Sequence, residues 1–416
     1  MDILTSLMDE GQWHRYLRYK IDSGHLAPGE EKELTEFIQQ QRYRPIVQQI
    51  IQGCPFPRPR RTAISKMHSM KKRIVYIYPK DEGTVLKLLT FLLLRNYDHL
   101  FSPYLYSFRS GFSAKDAIRY LSNCPDIGRM WSYKVDISDY FNSIPVDQLL
   151  PIMSEALADD PKLYRFLETL LNDPYVYDGP RLIRERKGIM AGTPFSTFLA
   201  NLYLAEMDRI FTGGDRIYAR YSDDIILFAP TQDALEQDIS LIHRYLADAG
   251  LSINPAKECR TSPGQQWTFL GFSWQDGIID IAPASIEKLK GKMRRKARAL
   301  MRWRDRKGVE HIHAARAFIK VFNRKLLEHS QDHDLTWARW YFPTITTADS
   351  LHVIDRYAQS CIRYLATGKR NKRAYDLRYE DMKRLGYISL VNRYYSGAQE
   401  KIDEVVDNPE NVVYNT

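Results

Sequence analysis

Cysteine is scarce in this chain: Cys54, Cys124, Cys259 and Cys361 are the four among 416 residues, and no two form a Cys-x-x-Cys pair. That excludes a zinc knuckle and a disulfide framework, and leaves buried, inert thiols as the expectation. Long apolar runs are missing too. No stretch approaches the roughly twenty uninterrupted apolar residues of a membrane-spanning helix, so no membrane partner is expected. The opening Met1-Asp2-Ile3-Leu4-Thr5 lacks the basic-then-apolar layout of a signal peptide, and the expectation is a soluble, cytoplasmic protein. Internal repeats and low-complexity tracts are absent. Acids are in deficit, with 51 Asp and Glu against 60 Lys and Arg, and the net charge of +9 is a weak pointer to a polyanionic partner. The 27 tyrosines suit base stacking as well as core packing.

What is present centres on Tyr221-Ser222-Asp223-Asp224. Ile217-Tyr218-Ala219-Arg220 before it and Ile225-Ile226-Leu227-Phe228 after it read as two short strands, which puts both carboxylates at a hairpin tip. Asp-Asp in a turn is also ordinary turn chemistry, because Asp side chains bond nearby backbone amides. A third acid on another strand changes the balance. Asp136 lies in the β-type run Val135-Asp136-Ile137, where a carboxylate is unfavourable unless paired, exposed at the strand end or bound to metal. Acids from two strands can hold a pair of Mg²⁺ ions for nucleotidyl transfer.

Residues 1–57 read as a helical region with no functional signal, closed by Pro55 and Pro57, with Pro59 beyond. Two strands follow, joined at His68-Ser69 and carrying Lys66 and Arg73, either facing a triphosphate or forming a solvated basic edge. Ser107-Phe108-Arg109-Ser110-Gly111 suits close approach to a phosphate backbone, as does a plain surface turn. The loop Met190-Ala191-Gly192-Thr193-Pro194 feeds a helix expected over Leu199 to Phe211, and backbone at Gly192 is open to a nucleotide. Leu235 to Ala249 reads as an amphipathic helix capped by Gly250. Leu251-Ser252-Ile253 and Trp267 to Trp274 read as strands, and Lys257 between them is a candidate general acid. From Lys288 to Lys307, eleven of twenty residues are Lys or Arg and one is acidic. Leu289, Met293, Ala297 and Leu300 make the packing face, so Lys288, Lys292, Arg295 and Arg298 are left for a phosphate backbone. Two further helices, through Ile319 and Ile354, precede a basic run Lys369 to Arg373 and the tyrosines Tyr375, Tyr379, Tyr387, Tyr394 and Tyr395.

In this order the features resemble the successive motifs of reverse transcriptases, over roughly residues 58–275. The match looks like the bacterial branch of group II intron, retron and defence-associated (abortive-infection-like) enzymes. That resemblance implies an α+β right-hand polymerase, with fingers and palm over residues 58–282 and a helical thumb and C-terminal region over 283–416. It implies that Asp136, Asp223 and the carbonyl of Ile137 hold two Mg²⁺ ions, Mn²⁺ being a possible substitute, with Asp224 as a further acid. Lys66, Arg73 and Gly192 would meet the dNTP, and Phe141 would be the steric gate against a 2′-hydroxyl. Phe269, Leu270 and Gly271 resemble the primer grip, and Arg109 and the basic helix would meet template and primer. The expected partners are an RNA template, dNTPs and the DNA product.

Two departures refine this. Met190-Ala191-Gly192 stands where many relatives carry Pro-Gln-Gly. Nothing after Phe272 resembles an RNase H or homing-endonuclease segment, and the Asn-Ala-x-x-His and Val-Thr-Gly strings of retrons are not found. A defence-associated enzyme copying its own non-coding RNA is therefore expected over an intron or retron enzyme. The rivals are an RNA-dependent RNA polymerase, which Phe141 disfavours, and a non-catalytic RNA-binding protein, which the acids disfavour. A tyrosine hydroxyl near the C-terminus as primer is a further possibility beside plain core tyrosines.

Overall fold

A computed structural model of the chain describes residues 2–22, 26, 29–65, 72–185, 188–213, 216–327, 337–369 and 375–397. Helices and mainly antiparallel sheets alternate, the α+β class expected, in two compact units, Met1–Gln265 and Gln266–Thr416. The strands in chain order are β1 (Arg60–Ser65), β2 (Lys72–Ile77), β3 (Trp131–Asp136), β4 (Tyr175–Asp178), β5 (Arg181–Arg184), β6 (Ile217–Tyr221), β7 (Asp224–Ala229), β8 (Cys259–Thr261), β9 (Trp267–Phe269), β10 (Phe272–Gln275) and β11 (Ile278–Ile281).

The centre of the first unit is a four-stranded antiparallel sheet in the order β6-β7-β3-β8. Continuous apolar sequence in β6 and β7 has its reason here: the helix Gln232–Asp248 packs on β3 and β7, the helix Ala114–Asn123 packs on β6, and both strands are buried nearly throughout. Gln232–Asp248 is a helix because Leu235, Ile239, Ile242 and Leu246 recur on one face and the Thr231 hydroxyl caps its start by accepting from the Ala234 amide at 3.2 Å. The N-terminal helices belong to this unit as well. Its first residues are tied down where the Ile3 amide donates to the buried Asp160 carboxylate at 2.9 Å, which also caps the helix Pro161–Asn172.

A second sheet, β2-β1-β4-β5, carries the basic hairpin. Arg73 lies on β2, and Lys66 and the expected turn at His68-Ser69 fall outside the described residues. The 188–194 loop docks on this sheet: the Tyr76 amide donates to the Ala191 carbonyl at 2.9 Å, and Tyr76 and Met190 share a small core with Val176. Gly192 has φ +99°, and a Cβ there would lie 2.9 Å from the Cβ of Val75. Only glycine fits that approach, and its other side stays exposed.

Several expectations change. The helix expected over Leu199 to Phe211 is two, Ser196–Tyr203 and Ala205–Ile210, separated at Leu204. Leu251-Ser252-Ile253 is not a strand. It makes a single bridge, Ile137 to Ile253, because Pro255 at once opens the 3-10 turn Pro255–Lys257. The short strands β4, β5, β8 and β11 gave no readable alternation and were not anticipated.

In the second unit β11-β10-β9 form a hairpin sheet, and the long helix Pro283–Lys307 packs on His311–Leu326 and Asp349–Thr367. Its buried face is the expected stripe of Leu289, Met293, Ala297 and Leu300, with Ile286 added at its start. Among the C-terminal tyrosines, Tyr387 is core, its hydroxyl donating to the buried Asp355 carboxylate at 2.7 Å, and Tyr394 donates to the Ile345 carbonyl at 2.9 Å. Tyr375 and Tyr395 are exposed.

Candidate active site

Strand register brings the acids together. Asp136 ends β3 and pairs across the sheet with Asp224, which begins β7, and Asp223 is in the two-residue tip joining β6 to β7. The Ile137 amide donates to the Asp223 carbonyl at 3.1 Å, fixing the tip against the end of β3. Oxygens of Asp136, Asp223 and Asp224 lie within 4.8 Å of one another. Like charges directly opposite on paired strands repel, so the cluster raises the free energy of the fold unless cations meet it. Burial, then Asp223 and Asp136, push the Asp224 carboxyl up to about 6, against the opposing pull of Lys257 and Lys134.

Lys257 enters from the turn Pro255–Lys257, its Nζ donating to Asp136 Oδ2 at 2.5 Å. Partial burial works against its charge, but the bond to Asp136 and the nearby Asp224 and Asp223 hold its pKa above the ordinary lysine value. It is thus a protonated amine at the acids. Asn254 fixes this turn, its amide donating to the Asp136 carbonyl at 2.7 Å.

Phe141 follows on the short helix Tyr140–Ser143, half-buried and edge-on to Phe108 with ring centroids 6.2 Å apart. The Tyr140 hydroxyl anchors this helix on the Ala200 carbonyl at 2.5 Å. Asn142 joins it to the glycine loop by accepting from the Ala191 amide at 3.2 Å.

Arg109 requires a correction. It is 8% exposed, and its guanidinium donates to Asp98 at 2.7 and 2.9 Å and to the carbonyls of Ser102 and Leu105 at 2.7 and 3.0 Å. An arginine held inward in this way shapes its own loop and has no reach to a phosphate backbone. In the second unit Phe269 and Phe272 are core, and the half-buried tip between them, Leu270 at φ +50° and Gly271 at φ +88°, is a tight hairpin turn. Lys288, Lys292, Arg295 and Arg298 are all exposed on the long helix. Partial burial, then Lys288, Lys325 and Arg295, lower the pKa of Lys292.

Sequence reasoning missed what holds the acid-bearing tip. Ser222 has φ +60°, an uncommon conformation for a side-chain-bearing residue. Its amide donates to the Ser107 hydroxyl at 2.9 Å, and its carbonyl accepts from Arg220 at 3.2 Å. Arg220 is fully buried and donates to the equally buried Asp208 by Nε at 2.7 Å and by a terminal nitrogen at 2.6 Å. Tyr218 adds a hydroxyl to Asp208 at 2.7 Å, and the Asn201 side chain joins Ser107 to the network at 2.9 and 3.2 Å. Burial disfavours the Arg220 charge, but Asp208 holds the guanidinium protonated. The one available signal was an arginine inside an apolar strand, which requires a buried acid somewhere.

Two outcomes follow from these charges. Arg220→Met, which leaves the Asp208 charge buried without a cation and bonded to the Tyr218 hydroxyl, should lose about 3–5 kcal/mol of stability in a urea melt; a change near zero would mean that the pair does not support the fold. Asp224 is raised from a normal value of 3.8 to about 6, so the native state prefers its proton, and stability contributed by that proton is lost as pH rises through this window. In EDTA, Asp224→Asn should therefore be more stable than the unaltered chain at pH 7.5, by on the order of 2 kcal/mol, and equal to it near pH 4. Coincident melting curves at pH 7.5 would refute the repulsion.

Comparison with known proteins adds the family. Residues 64–274, half of the chain, match the family described as reverse transcriptase (RNA-dependent DNA polymerase). Among curated relatives, the retron Ec86 reverse transcriptase of Escherichia coli is 26% identical over 229 residues, covering 54% of this chain and 65% of that protein. An uncharacterized 91 kDa protein in the cob intron of Schizosaccharomyces pombe is 30% identical over 150 residues, covering 36% of this chain and 18% of that one. The retron Mx65 reverse transcriptase of Myxococcus xanthus is 27% identical over 172 residues, 38% of each chain. The matches thus span less than two thirds of these relatives' own lengths. Apo telomerase of Candida tropicalis aligns with a TM-score of 0.46 at 11% identity, covering 79% of this chain and 69% of that one. With residues 64–274 matched and the acids on adjacent antiparallel strands, the chain has the α+β right-hand polymerase fold and belongs to the reverse transcriptase (RNA-dependent DNA polymerase) family.

Proposed function

We propose that this chain is an RNA-directed DNA polymerase that extends a DNA strand from dNTPs on an RNA template. The observation that carries the reading is the convergence of Asp136, Asp223 and Asp224 within 4.8 Å at one end of the central sheet. An all-oxygen donor set with a net negative charge fits hard divalent cations, and the burial that pushes Asp224 up to about 6 increases the gain from binding them. Asp136 and Asp223 would hold the ions with the Ile137 carbonyl, and Asp224 would add a further oxygen. Two Mg²⁺ ions, or Mn²⁺ in their place, would supply activation of the 3′-hydroxyl and neutralisation of charge at the leaving pyrophosphate.

The chain's own residues do the rest. The 3′-hydroxyl gives its proton to solvent water as its oxygen bonds to the α-phosphorus, the bond from that phosphorus to its bridging oxygen breaks, the pyrophosphate takes a proton from Lys257 Nζ, and the lysine regains one from solvent. The raised pKa of Lys257 keeps that proton available at neutral pH. Phe141 stands at the sugar of the incoming nucleotide and excludes a 2′-hydroxyl by its ring. The family resemblance gives the triphosphate to Lys66 and Arg73, and Gly192 would present open backbone beside it. The primer strand meets the Leu270-Gly271 tip, and template and primer run along the cations of the long helix.

We extend the reading to a dedicated non-coding RNA as template and to a cytoplasmic role in antiphage defence, on the resemblance to the defence-associated branch. Two of the relatives are retron reverse transcriptases by name, which keeps a retron-type enzyme as the second reading.

The test is incorporation of labelled dNTPs by the purified protein with its co-purifying RNA and Mg²⁺, followed by sequencing of the product. Asp223→Ala should lower incorporation by on the order of a thousandfold or more, and Phe141→Ala should admit rNTPs that the unaltered enzyme rejects. Incorporation that survives in Asp223→Ala would end the polymerase reading; unchanged rejection of rNTPs by Phe141→Ala would remove the gate alone.

A further inference from the structure

The second unit contains a cavity of about 270 Å³ between the long helix Pro283–Lys307 and the helix Asp349–Thr367. Its charged lining has one sign: Arg294 and Arg298, one turn apart on the long helix, and Arg363 and Lys369 opposite. Among the described residues no carboxylate lines it, and Arg294, Arg298 and Lys369 have no acidic partner. Tyr357, Tyr364 and Tyr375 complete the wall. Tyr375 is 67% exposed with the Arg363 guanidinium 4.7 Å from its ring centroid, and half-buried Tyr357 has the Lys290 ammonium 6.0 Å from its own. Ala297 and Cys361, both buried, form an apolar floor.

A solvated cationic helix does not build this. On such a surface, cations mix with acids or diverge into water, as in the cavity of about 530 Å³ among the N-terminal helices, where Glu30, Glu33, Glu36 and Asp81 balance Lys20, Lys80, Lys87 and Arg42. Here four cations converge on one space with no acid in its described lining, beside tyrosine rings. Guanidinium and ammonium groups satisfy phosphate oxygens, and an exposed tyrosine face backed by an arginine is a platform for a base.

We propose that this cavity binds one nucleotide unit of a nucleic-acid strand, its phosphate on Arg294, Arg298 and Lys369 and its base stacked on Tyr375. The inference rests on the nucleic-acid partner of the proposed function and adds a site that the acids and the primer tip do not include. The strand is single at this point, because a base within a duplex offers no free face to the ring.

The test is fluorescence anisotropy of the full-length protein with a labelled twelve-nucleotide single strand, as RNA in one arm and DNA in the other, over a range of salt. Arg294→Glu and Lys369→Glu should each weaken binding by about tenfold or more. Each should also flatten the slope of log affinity against log salt by about 0.7 for every phosphate that the cation no longer neutralises. Tyr375→Ala should weaken binding by about fivefold or more with the salt slope unchanged, because stacking releases no counterions. All three positions are exposed, and circular dichroism should match the unaltered chain. Arg165→Glu, an exposed cation on a helix of the first unit, is the control for general surface charge. A preference for RNA over DNA in the unaltered chain that the variants lose would assign the site to the template; equal losses on both would assign it to either strand. If the variants bind as the unaltered chain does, or Arg165→Glu loses as much, the nucleotide pocket is overturned while the polymerase reading stands. If the unaltered chain binds neither strand, the nucleotide pocket is overturned, and the polymerase reading is decided by dNTP incorporation.

Discussion

Repulsion among three carboxylates is the constraint on which the first unit depends. Asp136 and Asp224 face each other across paired strands, with Asp223 one residue away at the tip. Left to a flexible loop they would separate, because each ångström of distance relieves like-charge energy in a partly desolvated site. They are held by backbone. The β3–β7 register sets Asp136 against Asp224, and the bond from the Ile137 amide to the Asp223 carbonyl ties the tip to the strand bearing the third acid. Electrostatic stress is thus stored where a cation relieves it, and Lys257 supplies a partial counter-charge from within the chain.

The tip would not keep its shape on strand pairing alone. Ser222 takes a left-handed conformation that a serine adopts at a cost, and both of its backbone polar groups are bonded into a buried network. Arg220 and Asp208 form the base of that network. An ion pair with no solvent exposure is a weak source of net stability, since desolvation offsets most of its attraction. Its value here is directional: four bonds from one planar guanidinium fix Asp208, Asn201 and the Ser222 carbonyl relative to each other. A hydrophobic replacement could fill the space, but it could not bond the Ser222 carbonyl.

How much of this was legible follows from the range over which each signal acts. Asp136 stood out because an acid in a β-type run contradicts local propensity, whereas Asp223, Asp224 and Lys257 gained a place only from the order of motifs along the chain. Ser107, Asn201 and Asp208 were not legible, because each is unremarkable in its own segment and acquires a role only when distant segments meet. Arg109 was misread for a related reason. A Ser-Phe-Arg-Ser-Gly loop looks the same whether its guanidinium turns outward to a phosphate or inward to Asp98, and only the fold supplies Asp98 and the Ser102 and Leu105 carbonyls. The short strands β4, β5, β8 and β11 escaped because three or four residues are too few to establish a period.

The long helix of the second unit shows the same division of information from the other side. Its stripe of Leu289, Met293, Ala297 and Leu300 predicted a packed face, and its cations predicted a polyanion. What sequence could not distribute was which cations stand alone and which share a cavity with rings. That depends on Tyr357, Arg363 and Tyr375, brought alongside by a second helix and the segment after it. Cationic charge along a helix gives affinity without choice, since every phosphate satisfies it equally. Rings set among the same cations add a requirement for an exposed base face, and with it a means of telling a single strand from a duplex.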